Sequence, residues 1–472
     1  MKIKLILAAS PHDALKGREP FMPLSLPLLA GAAPGHDYQF VDMLRAEPVG
    51  FDAPADLVGI SVRMTAEGEA YRVADEFRRR GVKVVLGGPQ ASVVPFRALA
   101  HADAVVVGEG EELWPVVLAD VAAGALKDLY VCSPEPFDPQ GRTTHRLDRL
   151  PDLQAVPTPV RKPFRARYQF DTVFAARGCP IDCDFCSVPT LFGRALRMRP
   201  VEDVVREIAE FKGFYYLLDD TVFGRPSNYD YYLRLYEAVA RLRPVRFWTG
   251  QANLDAVSYE KGRGVVRRAA EAGLLYAMVG MESINPKVLA KSGALAKTGL
   301  RDAADAVARM REQIAFLQDL GIVVSGWFTI GYEEDTIDTF HETYEFCREA
   351  HVLPILSPIN ALPGTRLWSR LEREGRLDNR NPLTNFPHPT MKREEVLAAL
   401  DRSVGDGFSL PEILRRTRFY WTKFAASPHR AMKDRVQKAM FLLVMQVQMG
   451  KILRRENANL ASPASQNFVE ES

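Results

Sequence analysis

Three cysteines on one short segment constrain this chain more than any other feature. Cys179, Cys183 and Cys186 are separated by three and then two residues, and they are three of the five cysteines in the sequence. Thiolates set so closely can bind one four-iron four-sulfur cluster and leave one iron without a protein ligand. A zinc knuckle is the alternative, but it would need a fourth Cys or His, and no histidine lies between His145 and His341. The pattern therefore predicts an iron–sulfur cluster with one open iron.

Length, charge and cysteine content narrow the class of protein further. A chain of 472 residues exceeds one typical domain, so two domains and a tail are expected. The 61 basic and 59 acidic residues nearly cancel, which argues against a general nucleic-acid-binding protein. No apolar run reaches the ~20 residues needed to span a bilayer, and the clustered cysteines favour a reducing compartment over a disulfide framework. We therefore expect a cytoplasmic protein.

Residues 1–126 alternate between strand-like and helix-like segments. Apolar runs at 2–9, 38–43, 57–62, 83–88 and 104–108 are interleaved with helical patterns such as 65–80 and 111–123. This alternation predicts an α/β fold with a doubly wound, Rossmann-like parallel sheet. Ligands of such sheets bind beyond the carboxyl ends of the strands. The turns at that edge contain Ser61, Val62, Arg63, Gly87, Gly88, Pro89, Gln90, Gly108, Glu109 and Gly110.

Residues 127–170 are rich in proline. Seven prolines make this stretch a poor helix or central strand, so it is predicted to be an extended connector between two domains. Cys132 lies in this connector, far in sequence from the other cysteines. We expect it to be a buried thiol rather than a fourth metal ligand.

Residues 171–362 repeat a strand and a helix six times. The strand-like runs are 171–176, 214–218, 246–251, 276–281, 323–330 and 353–360, and helical stretches include 201–211, 229–242, 298–320 and 335–350. Such repeats predict a partial (β/α)6 barrel, with the chemistry at the carboxyl ends of its strands. The cysteine segment directly follows the first of these strands.

Polar residues stand at the ends of successive strands of this predicted barrel. They are Asp219, Asp220, Gln251, Asn253, Glu282 and Ser283, with Gly331 after the fifth strand. Asp219 could instead cap the next turn. Arg177, just before the cysteine segment, could face a charged cofactor or serve as a structural ion-pair partner. No Ser-His-Asp set or acid/base pair stands out, so catalytic side chains remain unassigned and the difficult chemistry is expected from cofactors.

The spacing CxxxCxxC, with Phe185 just before the last cysteine, resembles the cluster loop of the radical S-adenosylmethionine (SAM) enzymes. The resemblance implies that the open iron chelates the amino and carboxylate groups of SAM, and that an electron from the cluster splits the sulfonium to give a 5'-deoxyadenosyl radical. In that family, Asp-Asp, Gly-Met-Glu-Ser and Ile-Gly elements surround SAM. The same role is thereby implied for the polar strand-end residues named above.

The first domain is similar to the cobalamin-binding domain that precedes the radical module in one subgroup of the family. The similarity is carried by GISV from Gly59, LGGPQAS from Leu86 and ADAVVVGEGEE from Ala102. It implies cobalamin contacts from the turn residues at 61–63, 87–90 and 108–110. The Asp-x-His-x-x-Gly motif that supplies a histidine ligand to cobalt is missing, the nearest text being SPHDALKG around His12. A relic domain with an empty or closed pocket is the alternative.

The tail is expected to form a mostly helical cap over residues 363–455, followed by disorder from 456 to 472. Between residues 411 and 455 there are eleven Lys or Arg and two acidic residues, mixed with aromatic and apolar ones. Such helices could contact a membrane surface or a lipid-like substrate. Alternatively, their apolar stripe packs on the barrel and their basic face is merely solvated.

Three functions are compatible with these features. The first is cobalamin-dependent methylation of an unactivated carbon in a hydrophobic natural product such as a terpenoid, tetrapyrrole or lipid. The second is radical ring closure or carbon–carbon coupling, with cobalamin absent or used differently. The third is a noncatalytic iron–sulfur electron-transfer protein. Either enzyme would require a small hydrophobic substrate and an external electron donor such as flavodoxin or ferredoxin, and no nucleic acid.

Overall fold

The computed structural model describes residues 1–10, 20–133, 135–378 and 384–461. The chain divides into two units, which interleave in sequence. The first contains Met1–Gly178 and Val188–Pro200, and the second contains Cys179–Ser187 and Val201–Ser472. The cysteine segment therefore belongs to the second unit, although it is flanked on both sides by segments of the first. The sequence around His12 lies outside the described residues.

The first unit is built on a wholly parallel sheet with the strand order β2-β1-β3-β4-β5-β6-β7. The strands of this sheet are β1 (Lys2–Leu7), β2 (Asp37–Asp42), β3 (Leu57–Ser61), β4 (Lys83–Gly87), β5 (Ala104–Val107), β6 (Leu129–Cys132) and β7 (Thr144–Leu147). Three short strands of the first unit lie outside this sheet: β8 (Asp171–Val173), and β9 (Ala176–Arg177) and β10 (Arg197–Met198), which pair antiparallel with each other. Its helices are α1 (Ser25–Ala32), α2 (Glu67–Arg79), α3 (Pro89–Val93), α4 (Pro95–Ala100), α5 (Leu113–Ala122), α6 (Lys162–Arg165) and α7 (Val188–Phe192). The predicted Rossmann-like fold is confirmed.

The central strands of this sheet are buried on both faces, as parallel sheets require. Every residue of β3 and β5 is buried, which is why these strands read as continuous apolar runs instead of alternating ones. Helix α2 shows the complementary pattern, because its buried residues recur at helical spacing and include Phe77. Glutamates in its first turn and arginines in its last turn suit the helix dipole.

The prediction of an extended connector is wrong for the first part of residues 127–170. β6 is fully buried and pairs with β5, and β7 pairs with β6, so both strands extend the parallel sheet. The prolines do not prevent this pairing because none of them falls within either strand. Cys132, at the end of β6, is a buried thiol as expected, and its Sγ donates a hydrogen bond to the carbonyl oxygen of Arg149 (3.0 Å).

In the second unit, five parallel strands lie side by side in their order along the chain. They are β11 (Tyr215–Leu217), β12 (Trp248–Ala252), β13 (Leu274–Glu282), β14 (Val323–Ile330) and β15 (Leu353–Pro358). The helices are α8 (Val201–Ala209), α9 (Tyr229–Ala240), α10 (Glu260–Glu271), α11 (Pro286–Ser292), α12 (Ala306–Asp319), α13 (Asp338–Glu349), α14 (Arg366–Arg373), α15 (Arg393–Gly407), α16 (Leu410–Ala426) and α17 (Met432–Ala461). Sequential parallel strands joined through helices are the predicted βα repeats of a partial barrel.

The C-terminal helices are part of the second unit. Buried residues of α15, α16 and α17, among them Val404, Tyr420 and Leu442, share one hydrophobic cluster with Tyr276 of β13 and Leu353 of β15. The hydroxyl of Tyr420 also accepts a hydrogen bond from the backbone N–H of Val324 (3.0 Å). These contacts hold the helices against the parallel sheet.

The prediction of disorder from residue 456 is wrong for residues 456–461, and residues 462–472 lie outside the described ranges. Helix α17 continues to Ala461, because tertiary contacts hold its last turns. Asn457 is buried, and Arg393 donates a hydrogen bond to the carbonyl oxygen of Leu460 (2.6 Å). No helix within the described ranges combines the length and the apolar character that crossing a bilayer requires.

Candidate active site

The segment that contains Cys179, Cys183 and Cys186 has no regular structure over Pro180–Phe185, and hydrogen bonds from three other parts of the second unit hold it. The backbone N–H of Asp184 donates to the carbonyl oxygen of Ser292 (2.9 Å), and its carbonyl oxygen accepts from the N–H of Leu367 (2.9 Å). The hydroxyl of Tyr332 donates to the Asp184 carboxylate (2.6 Å). The conformation of this loop is therefore set by the fold before any metal binds.

A glycine permits the close contact between the cysteine segment and the end of α11. Gly293 has φ +77°, and a Cβ added there would lie 2.3 Å from the carbonyl oxygen of Asp182. The position thus excludes every side chain on both conformational and steric grounds. It follows the end of α11, where a glycine in the left-handed conformation commonly terminates a helix.

The thiols of the segment are largely buried. Burial raises the pKa of Cys183 to about 12, although the charge of Lys297 opposes this. Burial also raises the pKa of Cys179. Metal binding requires thiolates, so loading of iron must displace protons from these sulfurs. Cys186 is only half-buried.

Within the described ranges, no three His, Cys, Asp or Glu side chains converge where a single metal ion could be held. A cluster does not demand such convergence, because each thiolate binds a different iron atom. Three soft sulfur donors on one pre-shaped loop fit the predicted cluster in number and in chemistry.

Glu282 and Lys297 form a buried ion pair beside this segment. Lys297 Nζ lies 2.5 Å from Glu282 Oε1, and Thr329 Oγ1 donates to Glu282 Oε2 (3.1 Å). Glu282 has φ +65° at an irregularity in the β13–β14 pairing. Non-glycine residues hold such a conformation only where their surroundings enforce it, which happens often at functional sites. Gly280 makes room, since an added Cβ would lie within 2.6 Å of both Glu282 Oε1 and Lys297 Nζ.

Lys297 was not predicted from the sequence, and its spacing gave no signal. Burial alone would lower its pKa, but the charge of Glu282 holds the pKa of Lys297 above its ordinary value. The ammonium group therefore stays charged. It places a fixed positive charge close to the sulfurs that would carry the cluster.

The two aspartates after β11 differ in their surroundings. Asp219 is completely buried and accepts a hydrogen bond from the hydroxyl of Tyr232 on α9 (3.0 Å). Asp220 is only half-buried, and its charge contributes to the raised pKa of Cys179. Asp220 is thus the member of the pair that lies near the cysteine segment with surface left to contact a ligand.

Several buried polar atoms near the ends of β11 and β12 lack hydrogen-bond partners among the described residues. They include Asn253 Nδ2, Thr221 Oγ1 and Asp255 Oδ1. The other carboxylate oxygen of Asp255 accepts from Arg225 (2.7 Å), and burial raises the pKa of Asp255 to about 6. An orphaned buried polar atom costs about 1–3 kcal/mol, so a ligand with several donors and acceptors would relieve this cost. SAM has such groups, and the residues present fit it.

Ser283 and Gly331 are engaged in local structure. Ser283 Oγ accepts from the N–H of Asn285 (2.9 Å) in the turn before α11. Gly331 has φ +131°, and its N–H donates to Asp335 (2.8 Å). Both residues shape the turns after β13 and β14.

One face of the second sheet carries partly exposed side chains on neighbouring strands. The opposite face is covered by helices, as the ring contact between Phe328 on β14 and Phe346 on α13 indicates. Trp327 alternates with Phe328 and is 39% exposed. Tyr216, Gln251 and Met278 share its face on β11, β12 and β13. Gln251 donates to the hydroxyl of Tyr216 (3.0 Å). Met278 packs against the cluster formed with the C-terminal helices, so the partly exposed aromatic surface of this face is that of Tyr216 and Trp327.

In the first unit, the three turns expected to bind cobalamin do meet. The N–H of Val62 donates to Gly87 O (2.8 Å), and the N–H of Gln90 donates to Val62 O (3.2 Å). The N–H of Gly108 donates to Ser92 Oγ, three residues after Pro89 (2.9 Å). Gly88 and Gly108 permit these close contacts, because an added Cβ would lie 3.0 Å from Val62 N or 2.5 Å from Cys132 O. The turns therefore form one edge at the carboxyl ends of the strands, where doubly wound sheets bind their ligands, and this fits the predicted ligand.

Of the two roles considered for Arg177, the structure shows that of an ion-pair partner, and Glu109 is one of the carboxylates it pairs with. Arg177 and Arg197 both pair with the buried carboxylate of Glu109, and Arg177 also pairs with Glu111 (2.5 Å). Burial alone would raise the pKa of Glu111, but Arg177 lowers it below its ordinary value. Arg177 is therefore a structural ion-pair partner in the first unit, and Glu109 has no free carboxylate oxygen with which to contact a ligand.

Comparison with known proteins agrees with this architecture. Residues 173–347 match the radical SAM superfamily, residues 25–118 match a B12 binding domain, and residues 365–457 match a domain of unknown function (DUF4070). The bacteriochlorophyllide d C-8(2)-methyltransferase of Chlorobaculum tepidum is 26% identical over 376 residues, which are 77% of this chain and 79% of that protein. The hopanoid C-2 methylase of Rhodopseudomonas palustris is 26% identical over 86% of this chain and 75% of its own.

Among solved structures, the cobalamin-dependent S-adenosylmethionine radical enzyme OxsB, with aqua-cobalamin and SAM bound, superposes with a TM-score of 0.66 at 14% identity. The match covers 98% of this chain and 82% of OxsB, so the two share a fold. The chain therefore contains a radical SAM domain and, before it, a B12-binding domain, and it is an enzyme whose cofactors are a four-iron four-sulfur cluster, SAM and cobalamin.

Proposed function

We propose that this enzyme methylates an unactivated carbon of a small hydrophobic compound such as a terpenoid, tetrapyrrole or lipid. The observation that carries the proposal is the pair of relatives at equal identity, one acting on a bacteriochlorophyllide and the other on a hopanoid. Methylation is what these relatives share, whereas the substrate differs between them. The reaction type therefore transfers to this chain more securely than the substrate does.

We assign the cofactor contacts in the second unit as follows. Cys179, Cys183 and Cys186 would hold the cluster. Lys297, fixed by Glu282, would offer a positive charge to the carboxylate of SAM. Asp220 and the orphaned amide of Asn253 would bind polar groups of the same cofactor, with Gln251, Glu282, Ser283, Gly331 and Asp219 shaping the pocket. When bound, the cluster, SAM and cobalamin supply the electron and group-transfer chemistry that side chains lack.

The aromatic face of the second sheet supports an apolar substrate. Trp327 is 39% exposed on β14, which has a parallel strand on each side, and side chains of such sheets are normally covered on both faces. Tyr216 on β11 lies on the same face and is partly exposed. A flat apolar molecule would bury this surface and exclude water from the reacting carbon.

We assign the turns of the first unit at Ser61–Arg63, Gly87–Gln90 and Gly108–Gly110 to cobalamin, with Glu109 acting only through its ion pairs. An external one-electron donor such as flavodoxin or ferredoxin is also required. Its identity stays a prediction.

The decisive experiment is anaerobic reconstitution with iron, sulfide and cobalamin, followed by reduction in the presence of SAM with a labelled methyl group. Candidate hydrophobic compounds are added, and products are analysed by mass spectrometry. Methylation requires label in the substrate and formation of both 5'-deoxyadenosine and S-adenosylhomocysteine. If 5'-deoxyadenosine forms without S-adenosylhomocysteine and the substrate carries no label, ring closure or coupling replaces the proposal. The Cys183→Ala variant is the control for cluster-dependent cleavage.

A further inference from the structure

Helix α17 turns an apolar stripe toward solvent. The stripe consists of Met432, Val436, Met440, Val444 and Val447, which are spaced four, four, four and three residues apart. This spacing places them on one side of the helix. Their exposed fractions run from 38% for Val447 to 62% for Met432. Single exposed apolar residues are ordinary, but a continuous row along a long helix indicates a surface that something covers.

The helix cannot turn this stripe inward, because polar residues fix its other side. Lys438 is buried and donates to Ser427 Oγ (2.7 Å) and to the carbonyl oxygen of His429 (3.0 Å). The buried side chain of Gln446 accepts from Arg416 (2.8 Å). Burying a lysine and a glutamine while leaving valines and methionines exposed is the reverse of a solvated helix. The exposed stripe is therefore a built feature of the fold.

The charges on the same side of α17 are all positive. Lys433 lies near one end of the stripe, and Lys451 and Arg454 lie near the other, all of them exposed. None pairs with a carboxylate within the described part of the chain. The acidic residues of the helix, Asp434 and Glu456, fall on other sides of it at 100° per residue. An apolar row with cations at both ends and no anion complements a surface that is apolar inside and negative outside.

We propose that α17 docks the enzyme onto an anionic membrane surface. The stripe would enter the boundary between headgroups and acyl chains, while Lys433, Lys451 and Arg454 would contact anionic headgroups. A second copy of the chain fits this surface less well. Two such helices facing each other, parallel or antiparallel, would bring cations against cations. The inference stands apart from the proposed reaction, although a lipid-derived substrate would make membrane docking useful.

The test measures binding of the full-length protein to sedimenting vesicles of phosphatidylcholine, with and without phosphatidylglycerol. We expect binding that requires phosphatidylglycerol and weakens with salt. Each cation near an anionic surface contributes about fivefold to the partition coefficient, so Lys433→Gln with Lys451→Gln should weaken binding about 25-fold. Met440→Asp with Val444→Asp should abolish it. Lys212→Gln with Arg241→Gln, which removes two exposed cations elsewhere in the second unit, is the matched control and should bind like the wild type.

Partners other than a membrane would give different results at the stripe on α17. All four substituted positions on α17 are exposed, so the variants should keep the wild-type unfolding midpoint. Light scattering measures the oligomeric state, and a dimer that Met440→Asp with Val444→Asp dissociates would identify a second copy and overturn the proposal. Deletion of residues 462–472, which include Glu470 and Glu471, tests whether this acidic segment competes with the membrane for the stripe. If neither the full chain nor the deletion variant binds vesicles, the proposal is overturned. It is also overturned if the control variant loses as much binding as the α17 variants.

Discussion

Replacing Lys297 by methionine should destabilise the second unit and weaken SAM binding at the same time. The substitution removes the ammonium that lies 2.5 Å from Glu282 Oε1, while the carboxylate of Glu282 stays buried with Thr329 as a remaining partner. A methionine is close to lysine in length, so little packing is lost. The experiment therefore isolates the charge of Lys297.

The magnitude follows from burial. The side chains of Lys297 and Glu282 are 17% and 10% exposed, so breaking their pair leaves a carboxylate largely removed from water. Such a break costs about 3–5 kcal/mol. Glu282→Gln alone should also destabilise, because the charge of Lys297 is then unpaired. The double variant replaces both charges by neutral groups and should recover most of the loss. The expected coupling free energy is about 2 kcal/mol or more.

The assay is urea unfolding of the cluster-free protein under anaerobic conditions, followed by tryptophan fluorescence. Trp114 lies in the first unit and the other four tryptophans lie in the second. A Trp114→Phe background therefore makes the fluorescence report on the second unit alone. Lys291→Met is the matched control, because that lysine is 38% exposed and pairs with Glu333 and Glu334. Its loss should cost about 1 kcal/mol or less.

A coupling free energy below about 0.5 kcal/mol would refute the claim that Lys297 and Glu282 stabilise each other. The second readout is SAM binding to the reconstituted protein, measured by the change that SAM makes in the spectrum of the reduced cluster. Lys297→Met should raise the SAM concentration required about tenfold or more, as expected for loss of a charge-assisted contact to a carboxylate. If the SAM concentration required is unchanged, Lys297 is only a structural partner of Glu282.

Three further predictions follow from the same unit. Cys183→Ala should abolish 5'-deoxyadenosine formation, measured by product chromatography, and lower the bound iron, measured by iron analysis. The unfolding of the first unit should be unchanged. Gly293→Ala should reduce iron uptake because its Cβ would lie 2.3 Å from the backbone of Asp182, whereas Gly405→Ala, with nothing within 4 Å, should not. Burial raises the pKa of Asp255 from 3.8 to about 6, so its protonated form stabilises the fold below about pH 4 and that stability is lost as pH rises through 6. The loss is about 3 kcal/mol, from 1.36 × (6 − 3.8), and Asp255→Asn should remove it from urea titrations at pH 4 and pH 7.

Most of the fold could be predicted because parallel sheets leave a strong sequence pattern. Continuous apolar runs mark β3 and β5, and helical spacing marks α2, since these segments are buried on fixed faces. β6 was missed because nearby prolines outweighed a four-residue apolar run. Prolines disfavour a strand only where they fall within it, and here they flank it. The last turns of α17 were missed because their stability comes from contacts distant in sequence.

The site was predictable only where chemistry requires particular residues at particular spacing. Three cysteines meet that condition, and the polar residues at strand ends nearly do. Lys297 does not, because it lies in a short 3-10 helix (Ala294–Thr298) between α11 and α12, and only the fold brings it to Glu282. Arg177 was placed near the site by its position in sequence. Its guanidinium is instead held by Glu109 and Glu111, since two buried carboxylates need a cation.

In the second unit, the groups that cost folding free energy and the contacts that stabilise the fold lie in different places. Asn253 and Asp255 at the strand ends are buried with unsatisfied atoms, and Glu282 holds an unfavourable φ, each at a cost of about 1–3 kcal/mol. Offsetting contacts come from the cluster in which α15–α17 pack on the sheet, where the Tyr420 hydroxyl accepts hydrogen bonds from Gln318 and from the backbone N–H of Val324. The C-terminal helices are therefore more than a cap. They supply stability that offsets the cost of the poorly satisfied strand ends.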